Sequence, residues 1–291
     1  MRKLISHFIH ISLISLISLI GLISTSCNLE EYAFRKKLAL AAPVINTQCP
    51  MGVPYGSLQR IYVERDTLCT LLKANQGLNV AALANHTDLM AHVLLIGLSE
   101  DTTLLQIDTL LRNMATYNVW LRMRVDETPA KQTAGKSSSP ASIWLYASPA
   151  LLDTVFNNRY TAREKARYKV QMQVALAKLR MPYKVNDQMT MTAIDYTPGE
   201  VRMDYTIVED DQVNLGKKDF RTTAELFVRQ RIWKDLIKAQ KASTQEVVKQ
   251  YYLAGCRVRY TCTGATSGGH VQVVFTQGDL RMILSHYGIL L

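Results

Sequence analysis

The hydrophobic and polar positions of this chain repeat with two different periods. Between Asn118 and Val125, Val119, Leu121, Met123 and Val125 alternate with Trp120, Arg122 and Arg124, the period of a strand that buries one face. Val201, Met203, Tyr205 and Ile207 alternate in the same way with Arg202, Asp204 and Thr206. Leu104, Ile107, Leu111 and Met114 instead recur every three or four positions, as one face of a helix does.

Taken in order, this patterning predicts a helix from Leu29 to Ala42, stopped at Pro43 because proline lacks the N–H that would continue it. A hairpin follows, Ser57 to Val63 and Thr67 to Lys73, turning at Arg65-Asp66. Helices are expected at Thr87 to Leu98 and Thr102 to Thr116. After them come the strand Asn118 to Val125, a loop rich in Ser, Lys and Gly at Glu127 to Pro140, and a returning strand at Ala141 to Ala147. Ser148-Pro149, a cap with proline in the first turn, starts a short helix assigned to the next module. A longer helix runs from Thr161 to Arg180, with Tyr168, Met172, Leu176 and Leu179 as its apolar stripe, and Pro182 ends it. The hairpin Met189 to Tyr196 and Val201 to Val208 turns at Pro198-Gly199. Helices are then expected at Asp219 to Ala239 and, opened by the capping-box pattern Ser243 to Glu246, at Thr244 to Leu253. The last strand pair carries Val258, Tyr260 and Cys262, then Val271, Val273 and Phe275, before Thr276 and Asp279 cap a terminal helix.

The order α-β-β-α-α-β-β thus occurs at 29–147 and again at 161–275, which implies a duplication. Leu58 and Ile61 fall against Met191 and Ile194, and Val119, Leu121 and Met123 against Cys256, Val258 and Tyr260. The expected fold class is α+β: two tandem modules, 27–147 and 148–291, each an antiparallel four-stranded sheet with helices on one face. Each module is long enough to bury a core of its own.

Residues 1–26 have a different character. Arg2 and Lys3 precede an apolar run of Ile, Leu and Ser that ends in Ser24-Thr25-Ser26 before Cys27, the layout of an export signal peptide. Small residues directly before a cysteine, after such a run, resemble the lipobox of bacterial lipoproteins, whose cysteine is acylated and becomes the first mature residue. Thr25 and Ser26 match that pattern, while Ser24 stands where the class usually has Leu. The resemblance implies lipidation at Cys27, palmitate among the acyl groups, and a place in the cell envelope as an outer membrane lipoprotein. Glu30 and Glu31 resemble the acidic export tag of surface lipoproteins in some Gram-negative bacteria. Ordinary cleavage after Ser26 would instead release a soluble exported protein. An uncleaved Leu4 to Ile23 is long enough to span about 30 Å of hydrocarbon.

The net charge of +10, of which Arg2 and Lys3 belong to the signal, favours anionic partners such as lipid headgroups or acidic glycans, and export argues against nucleic acid. Within the helix Thr161 to Arg180, Arg163, Lys165, Arg167 and Lys169 face a single acid, Glu164. They are the candidate anion-binding residues, with a solvated helix face as the alternative.

Candidate chemistry is sparse. Besides Cys27 there are Cys49, Cys69, Cys256 and Cys262. Cys256 and Cys262 sit in one predicted strand, too far apart to bridge, whereas Cys49 and Cys69 either meet or stay free. Asp88 and His92 share a helix face and read as a solvated pair, His86 points elsewhere, and His270 is expected in a turn. The run Glu209-Asp210-Asp211 resembles a calcium loop, but Thr222 stands where a bidentate glutamate belongs. Gly135-Lys136-Ser137 leads into Pro140 and a strand rather than into a helix, so it is no phosphate cradle. No catalytic residue, metal ligand or cofactor is assigned. The sequence therefore points to a non-catalytic binding or scaffolding protein, held to the membrane through Cys27 and facing an anionic envelope component or another envelope protein. The alternative is an enzyme acting on an envelope polymer from a cleft between the modules.

Overall fold

The alternating stretches form strands and the stretches of helical period form helices, but the chain contains more strands than alternation reveals. The computed structural model describes residues 27–53, 56–75, 79–100, 105–128, 141–157, 159–210, 213–238 and 242–289; the stretch expected to be an export signal and most of the 127–140 loop lie outside them. Two units divide the chain, Met1–Arg159 and Tyr160–Leu291. The first holds α1 (Cys27–Asn46), β1 (Met51–Val53), β2 (Gly56–Glu64), β3 (Thr67–Ala74), a 3-10 turn (Ala81–His86), α2 (Thr87–Glu100), α3 (Leu105–Thr116), β4 (Trp120–Asp126), β5 (Ser142–Ala147) and α4 (Pro149–Phe156). The second holds α5 (Ala162–Lys178), β6 (Tyr183–Lys184), β7 (Met189–Thr197), β8 (Glu200–Ile207), α6 (Lys218–Lys238), α7 (Ala242–Leu253), β9 (Arg257–Gly264), β10 (His270–Phe275) and α8 (Gln277–His286).

The α+β class is as expected, but the sheets are mixed and five-stranded rather than antiparallel and four-stranded. Their orders are β1-β2-β3-β4-β5 and β10-β9-β8-β7-β6. The additional strands β1 and β6, three and two residues long, are too short to show alternation. In each sheet one pair is parallel, β3 with β4 and β8 with β9. Two helices separate the members of each pair, and a crossover of that kind returns the chain to the end of the sheet it left.

The register matches residue for residue. A bulge interrupts β2 between Leu58 and Arg60, and another interrupts β7 between Met191 and Ala193. Thr67 starts the first parallel pair opposite Trp120, as Glu200 starts the second opposite Arg257. Both pairs place the residues that the sequence aligned, Leu58 and Ile61 with Met191 and Ile194, at equivalent points. The helix before each parallel strand closes the same way: Val119 N–H donates to Met114 O at 2.8 Å and Cys256 N–H to Tyr251 O at 3.0 Å, around Asn118 and Gly255 at φ 54° and 71°.

The equivalence extends one helix further than expected. Ser148 caps α4 by accepting from Leu151 N–H, and Thr276 caps α8 by accepting from Asp279 N–H. The expected boundary after Ala147 is therefore displaced: α4 ends the first unit, where Leu152, Val155 and Phe156 are buried, and does not open the second.

Three local expectations change for local reasons. Helix α1 runs through Pro43 to Asn46, since Pro43 and Ala39 lie on its exposed side, where the carbonyl freed by proline faces water. Helix α7 begins at Ala242, so Ser243 lies within the first turn rather than at the cap, and Glu246 accepts from Gln250 instead. Helix α5 turns Ala166, Val170 and Val174 into the core of its unit, whereas Leu179 of the expected stripe is exposed. Small and β-branched residues let the helix lie close to its neighbours, and of the expected stripe Met172 is buried beside them.

In the first unit, Asn46 ties α1 to the sheet. Its Nδ2 donates to Ile61 O at 2.7 Å, and its Oδ1 accepts from Ile61 N–H at 2.7 Å, so one amide serves β2 where β1 has ended. In the second unit, the run that resembles a calcium loop has a structural use. Glu209 accepts from Leu215 N–H (2.7 Å), Thr266 N–H (3.0 Å), Ser267 N–H (2.6 Å) and Ser267 Oγ (2.6 Å), which clamps two loops together. The Ser267 hydroxyl, with these backbone amides, lowers its carboxyl to about 2.

Asn46→Ala leaves both main-chain groups of Ile61 without their partner and is expected to destabilise the first unit by about 1–3 kcal/mol in urea unfolding. Glu209→Gln is expected to weaken the second unit at pH 7. Because the folded carboxyl titrates below its ordinary value near 4.5, the wild-type advantage is present above that pH and disappears as pH falls toward about 2. Urea midpoints of both proteins between pH 7 and pH 2.5, in a background of Trp120→Phe and Trp144→Phe so that Trp233 alone reports, check this.

Candidate functional site

Helices cover one face of the first sheet, and the residues of the other face point outward. Burial along β4 follows the pleat: Leu121, Met123 and Val125 are buried, while Trp120 and Arg124 are exposed. Strand β5 does the same with Ile143, Leu145 and Ala147 inside and Tyr146 exposed. The register then assembles two rows across four strands. Arg60, Leu71, Arg124 and Trp144 are successive partners in one row, and Tyr62, Cys69, Arg122 and Tyr146 in the next. At the usual strand spacing each row spans about 14 Å.

Arginines and aromatic rings interleave on this face. The Arg122 guanidinium lies 5.0 Å from the centre of the Trp144 ring, Arg124 lies 6.0 Å from the same ring, and Arg60 lies 5.7 Å from that of Tyr62. Arg122 pairs with Glu64, and its contacts with Tyr62 foremost, then Cys69 and Glu64, hold its pKa above the usual arginine value. Arg124 pairs with Asp126 at 2.8 Å. No carboxylate among the described residues pairs with Arg60. Between these groups lies a depression of about 250 Å³ lined by Arg60, Tyr62, Thr70, Leu71, Arg124 and Trp144. Trp120 is 42% exposed and Tyr146 54%, so apolar rings face water beside the basic groups.

The second sheet supplies an internal comparison. Its row equivalent to Arg60, Leu71, Arg124 and Trp144 is Ala193, Asp204, Thr261 and Gln272. The next row reads Asp195, Arg202, Arg259 and Val274. Its charges are all paired: Arg202 with Asp204 at 2.8 Å, Lys178 with Asp195 at 2.7 Å, and both Arg257 and Arg259 with Glu200, the latter at 2.9 Å. The same frame therefore carries a fully ion-paired face in one unit, and in the other a face where arginines meet aromatic rings and Arg60 has no carboxylate partner among the described residues.

The sequence-selected residues Arg163, Lys165, Arg167 and Lys169 do not form one surface. Arg167 Nε donates to Ala254 O at 3.4 Å, and the Arg163 guanidinium packs on Gly255, where a side-chain carbon would collide with it. This pair thus faces the C-terminal carbonyls of α7, where positive charge is favourable. Lys165 and Lys169, two positions further on, project from the other side of α5. Cys27 is the first residue of α1. Cys49, Cys69, Cys256 and Cys262 are all free, and burial pushes the Cys262 thiol up to about 11. His92 Nδ1 lies 2.8 Å from the Asp88 carbonyl rather than its carboxylate, and His270 is an exposed first residue of β10, not a turn residue. No group of His, Cys, Asp and Glu among the described residues is arranged to hold a metal ion.

Of the residues lining the depression, the alternation of β4 placed only Arg124 on the outer face, together with its neighbours Trp120 and Arg122. Arg60 and Trp144 join them only through strand pairing.

No protein-family model matches this chain, and no curated protein matches it. Among solved structures, the crystal structure of a putative secreted protein from Pseudomonas aeruginosa is similar to it at 9% identity, covering 42% of this chain and 98% of that one, with a TM-score of 0.31.

Proposed function

We propose that this is an exported, lipid-anchored envelope protein that binds an anionic envelope polymer, without acting on it, on the outer face of its first sheet. The observation that carries this reading is the row Arg60, Leu71, Arg124 and Trp144, set against its counterpart in the second sheet, which has no arginine and no aromatic ring. A face kept only for solubility has no need of exposed Trp120 and Tyr146. Aromatic rings offer flat apolar surface to the C–H faces of sugars, and an unpaired arginine offers a fork of donors to a carboxylate or phosphate. Acidic glycan is the ligand class that uses both. The anchor rests on Ser24-Thr25-Ser26-Cys27 at the end of the apolar signal.

Calorimetric titration of the chain from residue 27 onward with polygalacturonate is expected to show binding that weakens with salt, and none to neutral dextran. Arg60→Gln with Arg124→Gln should weaken it by about tenfold to a hundredfold, the loss of one charge-assisted contact or two. Equal binding by the variant sinks this placement, and shortening of the polymer during the titration favours the enzymatic alternative. Replacing Cys27 with Ala in the full chain should move the protein from the membrane to the soluble fraction after export; full retention would point to an uncleaved anchor.

A further inference from the structure

Helix α1 is apolar on two opposite sides. Phe34, Leu38 and Ala42 are buried, and the Phe34 ring packs 4.8 Å from that of Tyr117. On the other side Leu29, Tyr32, Leu40 and Val44 are exposed at 64%, 68%, 61% and 54%, with Ala39 and Pro43 between them. At 3.6 residues per turn these positions form one stripe facing away from the core, about 22 Å long from Leu29 to Val44. Lys36 is the one charged residue on it. A surface helix ordinarily presents polar residues on that side.

We propose that this stripe lies on the bilayer surface, with lipid as its occupant, so that α1 seats the first unit against the membrane. The choice of occupant follows from where the helix begins. Its first residue is Cys27, so acylation there pins the start of the stripe at the interface, and this step rests on the anchor proposed above. A group tethered so closely meets the membrane at high effective concentration, and modest apolar contact is then enough to hold it. The aliphatic stem of Lys36 can lie along the apolar surface while its ammonium reaches the headgroups. Arg35, paired with Glu31, and Lys37 lie at the flanks of the stripe.

The test uses the chain from residue 27 with Cys27→Ser and an N-terminal hexahistidine tag, held on phosphatidylcholine vesicles containing a nickel-chelating lipid. The chelate replaces the acyl group, so the outcome does not depend on whether Cys27 is lipidated in the cell, which the fractionation of Cys27→Ala decides separately. In a Tyr32→Trp variant, brominated lipids are expected to quench fluorescence beyond the level of the parent, which reports Trp120, Trp144 and Trp233. Without the chelating lipid, Leu29→Asn, Leu40→Asn and Val44→Asn together should lower partitioning into neutral vesicles at least about tenfold, with an unchanged circular dichroism spectrum. No added quenching at position 32, or equal partitioning by the triple variant, overturns the proposal. A concentration-dependent dimer in sedimentation that the triple variant abolishes overturns it in favour of a second copy of the chain.

Discussion

Each sheet is organised around a parallel pair of neighbouring strands. A parallel neighbour cannot be reached through a tight turn, so the chain must travel the length of the sheet again before pairing. Here two helices make that journey, between β3 and β4 and again between β8 and β9. Helices cover the apolar side of the sheet, and the remaining strands pair antiparallel with their neighbours. The opposite side of the first sheet is left to carry whatever the sequence places there. Its chemistry is therefore free to change without disturbing the core.

The two units show how far that freedom extends. Their bulges, helix caps and parallel registers coincide, down to Asn118 and Gly255 adopting the same left-handed conformation before β4 and β9. Their outer faces share almost nothing. In the second unit every basic residue of the central strands finds a carboxylate, whereas in the first Arg60 finds none and Trp120, Tyr146 and the Arg122–Trp144 stack take the equivalent places. Since strand pairing constrains backbone and inward side chains far more than outward ones, duplication preserves the frame and leaves one copy able to specialise.

The first unit presents a second unusual surface, the exposed apolar stripe of α1. Asn46 fixes that helix by replacing the missing edge of β2, so the direction of the stripe is set by the sheet rather than by a flexible linker. The proposed membrane seat and the proposed ligand face thus draw on separate residues of one unit. A change at Arg60 or Trp144 leaves the stripe intact, and a change at Leu40 leaves the sheet face intact.

By itself, the sequence determined the elements whose signals are local. Alternation in β4 and β8, the Pro198-Gly199 turn, the caps at Ser148 and Thr276, and the repeated order were legible because each depends on neighbours a few residues away. The aligned positions Leu58 with Met191 and Val119 with Cys256 were legible for the same reason. Tertiary structure alone decided the parallel pairing, the place of α4 in the first unit and the short edge strands β1 and β6, since each is settled by contact between distant segments. The candidate site belongs to the same class. Arg60 and Trp144 are far apart in the chain and become parts of one row only when three strand pairings fix their register, whereas Arg163, Lys165, Arg167 and Lys169, adjacent in sequence, are divided between two sides of one helix.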